Sequence, residues 1–270
     1  MRIIYLFGIV IIFWVYFDTH YFDKRYDFEN FDAQGLECLE GKSGGLYIID
    51  GKDGGELYSF DKGMRVASFK RPEQNTQKSI SFLSHPTSLV LRKDGSGVVV
   101  NSMLRLPPKI VVYEFDMHLS DGYLTRDSII SITEENDFKG LRVELVDFKE
   151  KPYLVLVGDQ GNGSTMRFVN GDTLNQICDI DIGGHVQNIF WNKKNQSLVL
   201  SKNIISSTGS LIQEIKFSDT DLLEGNICPI YKRVKTTFFI TPHELEAYAQ
   251  CNNKEYFLYN NGTNGILYER

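Results

Sequence analysis

The sequence predicts an all-β chain folded as a five-bladed β-propeller with four-stranded blades, and three observations predict it. Short apolar-alternating segments, bounded by Gly, Asp and Lys clusters, recur from residue 33 onward at the spacing of strands and hairpins. Five of these segments look like copies of one strand, each with an oxygen-bearing side chain in the same register: Glu37, Ser88, Glu144, Asn188 and Glu246. Those positions lie roughly 44 to 58 residues apart, the period of a four-stranded blade, and no helical periodicity competes with it. The fifth repeat supplies only three strands before Arg270, so closing the ring requires a strand from the other terminus. A two-sheet sandwich of the same strand count is the architectural alternative.

The chain begins with an unbroken apolar run over residues 3–17, preceded by Arg2 and ended by Asp18. No small residues prepare a cleavage site, since the run closes on Trp14, Val15, Tyr16 and Phe17. Residues 1–17 are therefore expected to be an uncleaved signal-anchor, a short transmembrane helix with its aromatic end at the interface, with a cleaved signal peptide as the alternative. Arg2 places the N-terminus in the cytoplasm and the rest of the chain on the extracytoplasmic side, periplasmic or lumenal. Residues 18–32 alternate aromatic and charged side chains, and the period of two around Tyr26 and Phe28 makes this linker the candidate closing strand. Residues 33–270 form the propeller domain.

In chain order the repeats predict strands at 35–40, 46–50, 56–60 and 65–69, then 87–91, 97–101, 109–115 and 128–132. The third set is 143–148, 153–157, 165–169 and 174–180; the fourth is 186–191, 197–200, 210–217 and 230–234; the fifth is 245–249, 256–259 and 265–268. In each set the first strand is the innermost. Longer polar connections at 70–82, 118–126, 134–139 and 218–228 would build the mouths of the ring.

Composition narrows the function classes. Hydrophobic content of 42% and charged content of 24% are those of a globular protein, and 14 Tyr with 18 Phe suit strands. A net charge of -6 with no basic stripe argues against nucleic acid as the partner. Cys38, Cys178, Cys228 and Cys251 show no C-x-x-C spacing, so a thiolate metal site is not indicated. Four cysteines allow three pairings, of which Cys228 with Cys251 spans the shortest chain; the other reading is four small buried residues. Asn162, Asn195 and Asn261 match the glycan-acceptor pattern, as turn residues also do. No P-loop, nucleophile elbow or dinucleotide fingerprint is present. The turns at 50–54 and 158–163 resemble fragments of calcium loops without the full pattern.

Two rings of side chains carry the possible chemistry. Glu37, Ser88, Glu144, Asn188 and Glu246 would converge on the axis, where oxygen ligands suit a hard cation such as calcium. Without a cation, three carboxylates in a narrow channel would repel and at least one would take up a proton. Three residues upstream, Gln34, His85, His185 and His243 form a second candidate ring, with imidazoles suited to a transition metal. Residues three apart on a strand face opposite sides, so both rings cannot face the axis unless the strand begins after the histidine.

The order Glu, Ser, Glu, Asn, Glu resembles the one-ligand-per-blade ring of two sets of five-bladed propellers. These are the SdiA-regulated family of membrane-anchored bacterial proteins and the calcium-activated nucleotidases (apyrases). The resemblance implies a structural calcium ion held by Glu37, Ser88, Glu144 and Glu246, with Asn188 where a serine is expected. Glycine usually follows the ligand in those families, whereas Cys38, Leu89, Leu145, Ile189 and Ala247 follow it here. Nothing matches the nucleotidases' substrate-binding segments. The sequence thus leads to a membrane-anchored extracytoplasmic propeller with an axial calcium site, working as a binding or scaffolding module. A calcium-dependent hydrolase of phosphoester, nucleotide or lactone substrates is the alternative, and a His-metal lyase a more remote one.

Overall fold

The computed structural model describes residues 22–39, 45–51, 56–61, 63–68, 86–91, 96–103, 109–116, 129–135, 139–159, 163–173, 175–205, 209–240 and 243–270. The apolar run at 3–17 lies outside these residues. Among them no helix is long and apolar enough to cross a membrane.

The described strands form five four-stranded antiparallel sheets. The first holds β2 (Ala33–Leu39), β3 (Gly45–Asp50), β4 (Glu56–Ser59) and β5 (Met64–Ser68) in that order. The second holds β6 (Pro86–Leu91), β7 (Ser96–Met103), β8 (Lys109–Asp116) and β9 (Ile129–Glu135). The third holds β10 (Lys139–Phe148), β11 (Lys151–Asp159), β12 (Ser164–Asn170) and β13 (Gln176–Asp181). The fourth holds β14 (His185–Asn192), β15 (Ser197–Ile205), β16 (Gly209–Ser218) and β17 (Ile230–Phe239), with a 3-10 helix at Thr220–Gly225 before β17. In the last, β18 (Glu244–Cys251), β19 (Lys254–Asn260) and β20 (Gly265–Glu269) are completed by β1 (Lys24–Phe28).

The inner strands β2, β6, β10, β14 and β18 neighbour one another in turn, and β18 returns to β2. The architecture is an all-β propeller. Closure follows the route the N-terminal alternation predicts: β1 pairs antiparallel with β20, from Lys24 opposite Glu269 to Phe28 opposite Gly265. Its aromatic residues explain the docking. Tyr26 meets Phe60 and Phe28 meets Tyr58, both of the first sheet, while Phe22 stacks on Tyr268 with centroids 4.4 Å apart. One short strand therefore completes the last sheet and grips the first.

Local chemistry accounts for the tight inner hairpins. Lys149 and Glu150, and likewise Asn252 and Asn253, are two-residue connections with φ positive at both positions, the turn whose twist matches that of the strands. Apolar side chains from facing sheets fill the wedges between them. Among the described residues, Val146, Phe168, Val186, Trp191 and Leu198 form the largest such layer, between the third and fourth sheets. Gly35 serves close approach: a Cβ there would stand 3.1 Å from the Thr87 carbonyl oxygen of the next inner strand.

The cysteines pair otherwise than chain proximity suggests. Cys38 bonds Cys251, and Cys178 bonds Cys228. The first bridge joins β2 to β18, which are 213 residues apart in sequence and adjacent only because the ring closes. The second joins β13 to the segment leading into β17. Each ties one sheet to its neighbour, so neither the shortest-chain pairing of Cys228 with Cys251 nor the reading of four unbonded cysteines holds.

Candidate axial site

Every inner strand carries a register shift near its start, one residue that has no partner on the second strand. The extra residues are Gln34, Thr87, Leu141, Gln187 and Glu246. These bulges give a common origin that the sequence does not display. Counted from them, the five expected ligands divide among three levels. Glu246 is itself the extra residue of β18. Ser88 and Asn188 come one position later, beside Gly35, Arg142 and Ala247, and Glu37 and Glu144 come three positions later, beside Val90, Phe190 and Ala249. Two residues along a strand span about 7 Å, far beyond the reach of one cation with ligands at about 2.4 Å. The ring of five oxygens is not brought to one level.

The hydrogen bonds confirm this frame and show what the side chains do. Ser88 Oγ donates to the Val143 carbonyl at 3.0 Å and accepts from Val143 N at 3.1 Å. Asn188 Oδ1 accepts from Tyr248 N at 3.4 Å. Glu144 Oε2 accepts from Trp191 N at 3.0 Å, and its Oε1 from Leu145 N at 2.9 Å. In each inter-sheet bond the side chain reaches the backbone of the next inner strand, one position further from the bulge. These oxygens hold neighbouring sheets together; an axial ion would have to compete with amide donors for them.

Two charged clusters remain, at different heights. Nearer the bulges, Arg142 Nη2 donates to Glu246 Oε2 at 3.1 Å across the ring, both side chains being almost wholly buried. Burial pushes the Glu246 carboxyl up, to about 8, against the pull of Arg142; Glu244 and Asp32 add to the rise. Further along, Glu37 and Glu144 stand at one level, and their charges interact. Burial pushes Glu37 well above the usual carboxylate range and Glu144 adds to this, while Lys193 pulls it down. Burial lifts Glu144 to about 7 despite its two backbone donors. Among the described residues no group of three or more His, Cys, Asp or Glu stands ready for a metal.

The second candidate ring does not share a level. Gln34 is the extra residue of β2, and its Nε2 donates to Asp32 Oδ1 at 3.0 Å, where Asn260 Nδ2 also donates. His185 is exposed at the start of β14, His243 precedes β18, and His85 lies outside the described residues. Sequence reasoning passed over Arg142 and Lys202. The signal for Arg142 was present: an arginine two residues before Glu144, flanked by Leu141 and Val143. Lys202 Nζ donates to the carbonyls of Ile182 and Gly183, at 3.0 and 2.9 Å, and burial draws its ammonium down to about 8. Off the axis, a small cleft between the fourth and last sheets carries a bonded polar row. Asn192 Nδ2 donates to Gln250 Oε1, Gln250 Nε2 to Tyr248 Oη, and Tyr248 Oη to Glu255 Oε1, at 2.7–2.8 Å each.

No family model matches the chain, and no curated protein matches it in sequence. The likeness to the SdiA-regulated family thus has no support from sequence comparison. Solved structures do resemble it. An oxidoreductase of the glucose dehydrogenase type from Thermus thermophilus shares 7% identity over 92% of this chain and 100% of that one, with a TM-score of 0.51. Another glucose dehydrogenase shares 9% identity over 91% and 99%, also at 0.51. At such identities the likeness is one of fold, and the fold it shows is the β-propeller.

Proposed function

We propose that the chain is a membrane-anchored, extracytoplasmic β-propeller of five blades that works as a binding or scaffolding module. The observation that carries this reading is the pair of disulfides, each bridging adjacent sheets, because such bonds persist in oxidising compartments. The apolar run at 3–17 stands directly ahead of Phe22 and β1, so an anchor there would lead straight into the wall of the ring. Scaffolding is favoured over catalysis because Ser88, Asn188 and Glu144 bond inter-sheet backbone, and Glu246 bonds Arg142. No arrangement of described residues favours the hydrolase or the His-metal lyase. The test is maleimide labelling of the full chain in intact cells and in lysates. Thiols that react only after reduction, on a propeller open to external protease, support the reading; four thiols reactive without reductant would overturn it.

A second reading keeps calcium but moves it to the level of Glu37 and Glu144, where two carboxyls whose charges interact, with water, would supply the oxygens. Melting at pH 8 in EDTA and in calcium tests it. A rise in Tm with calcium that Glu37→Gln abolishes supports it, and identical melting sinks it while leaving the scaffold reading untouched.

A further inference from the structure

The outer edge of the fourth sheet differs from the others. β17 runs for 10 residues, whereas the outer strands β1, β5, β9 and β13 have 5, 5, 7 and 6. Among the described residues it pairs with β16 alone, which leaves the backbone donors and acceptors of its other side without a strand partner there. Every large hydrophobic side chain exposed among the described residues lies between Ile204 and Ile240. On this edge stand Ile230 at 63% exposure, Val234 at 47% and Phe238 at 52%. Interleaved with them are Lys232, Arg233 and Lys235, all exposed and without an ion pair among the described residues, in a chain of net charge -6.

Lysines and a bulge are the usual guards of an edge strand, and β17 has both, its register shifting opposite Glu214 and Ile215. That accounts for the cations but not for the apolar side chains, which a guarded edge has no reason to display. The edge is also held in shape. Cys228, two residues ahead, is bonded to Cys178, and Tyr231 Oη donates to the Asp181 carbonyl. The 3-10 helix before it is tied to the β10–β11 hairpin by the Lys149–Asp221 and Lys151–Glu224 pairs. A preformed edge loses little freedom on pairing.

We propose that β17 is a docking edge for an extended acidic peptide of a partner protein, which adds to the fourth sheet as a further strand. Backbone bonds set its register; on the face shared with Lys216 and Glu214 its carboxylates meet Lys232 and Lys235 beside Ile230, and on the face shared with Leu211 its apolar residues cover Phe238 beside Arg233. None of these residues belongs to the axial site, so this inference and the calcium reading fail independently.

The test uses the full chain in detergent micelles and a fluorescent peptide, as long as β17, of alternating Val and Glu. Saturable binding is expected, weakened about tenfold or more in the Lys232→Glu/Arg233→Glu/Lys235→Glu variant and in Ile230→Ser/Phe238→Ser. A Val–Lys peptide, and a Val–Glu peptide N-methylated at alternate residues, should not bind. All these substitutions are exposed on an outer strand, and an unchanged circular dichroism melt verifies that each variant folds. Absent binding of the Val–Glu peptide overturns the proposal, as does equal binding to the charge-reversed variant or of the N-methylated peptide. Self-association of the chain that Ile230→Ser/Phe238→Ser abolishes, with no peptide bound, assigns the edge to a second copy and overturns it too.

Discussion

Removing the buried carboxylate at position 144 is expected to stabilise the protein at pH 8, although Glu144 accepts two backbone hydrogen bonds. Burial lifts its carboxyl from the ordinary 4.5 to about 7, so folding favours the protonated form. Below about pH 4.5 the group is protonated in both states and its full contribution is present. As pH rises, the unfolded chain ionises first, and stability falls until the folded carboxyl has ionised near 7. The two values differ by about 2.5 pH units, and at about 1.4 kcal/mol per unit the loss is on the order of 3 kcal/mol. For a domain of this size that corresponds to roughly 6–12 °C in Tm. Glutamine mimics the protonated acid, keeping one carbonyl acceptor for Trp191 or Leu145, so Glu144→Gln should lie within about 1 kcal/mol of the parent at pH 5. At pH 8 it should melt higher than the parent. The assay is calorimetric melting of both proteins from pH 4.5 to 8.5 in EDTA, with the difference between the curves reporting Glu144 together with its effect on Glu37. Parallel curves, or a parent that gains stability relative to Glu144→Gln as pH rises, would refute the reasoning, because Glu144 would then be ionised in the fold at all these pH values.

Other perturbations probe the closure. Replacing Cys38 and Cys251 together by serine releases a loop of 213 residues and should cost about 5 kcal/mol on a chain-entropy estimate, against about 4 kcal/mol for Cys178 and Cys228 with a loop of 50; denaturant titration of the two double variants would rank them. Phe22→Ala removes the ring stacked on Tyr268 and should cost about 3 kcal/mol by urea unfolding; a near-neutral result would mean that β1 does not close the sheet in solution. Ser88→Ala leaves Val143 N without its buried acceptor. The expected loss is about 1–3 kcal/mol, with faster hydrogen exchange confined to the seam between β6 and β10.

What could be read from the chain was local. Alternation and turn residues place most strands of the described sheets within three residues of their observed bounds, though β10, β15 and β17 run four or five residues further at one end, and the period of two at Tyr26 and Phe28 marks the strand that pairs with β20. Such features depend on neighbours within a hairpin, and the residues state them directly. The level of each inner-strand residue was not legible. A bulge is a property of two paired strands, and its extra residue can be as different as Leu141 and Glu246. Aligning the segments on their oxygens therefore slid Glu246, the Ser88–Asn188 pair and the Glu37–Glu144 pair onto one false ring. Arg142 stands two residues before Glu144, but its meaning required the opposite wall to bring Glu246 within 3.1 Å.

The cysteines separate the two kinds of information most plainly. Their number and their lack of metal spacing, like the strand pattern, belong to the amino-acid order. Their partners do not, because Cys38 and Cys251 are distant along the chain and meet only where the last inner strand returns to the first. Short-range hydrogen bonding and side-chain alternation are encoded residue by residue, whereas contact between β2 and β18 is created by closing the ring. Which oxygens, cations and sulfurs stand together was decided at that step.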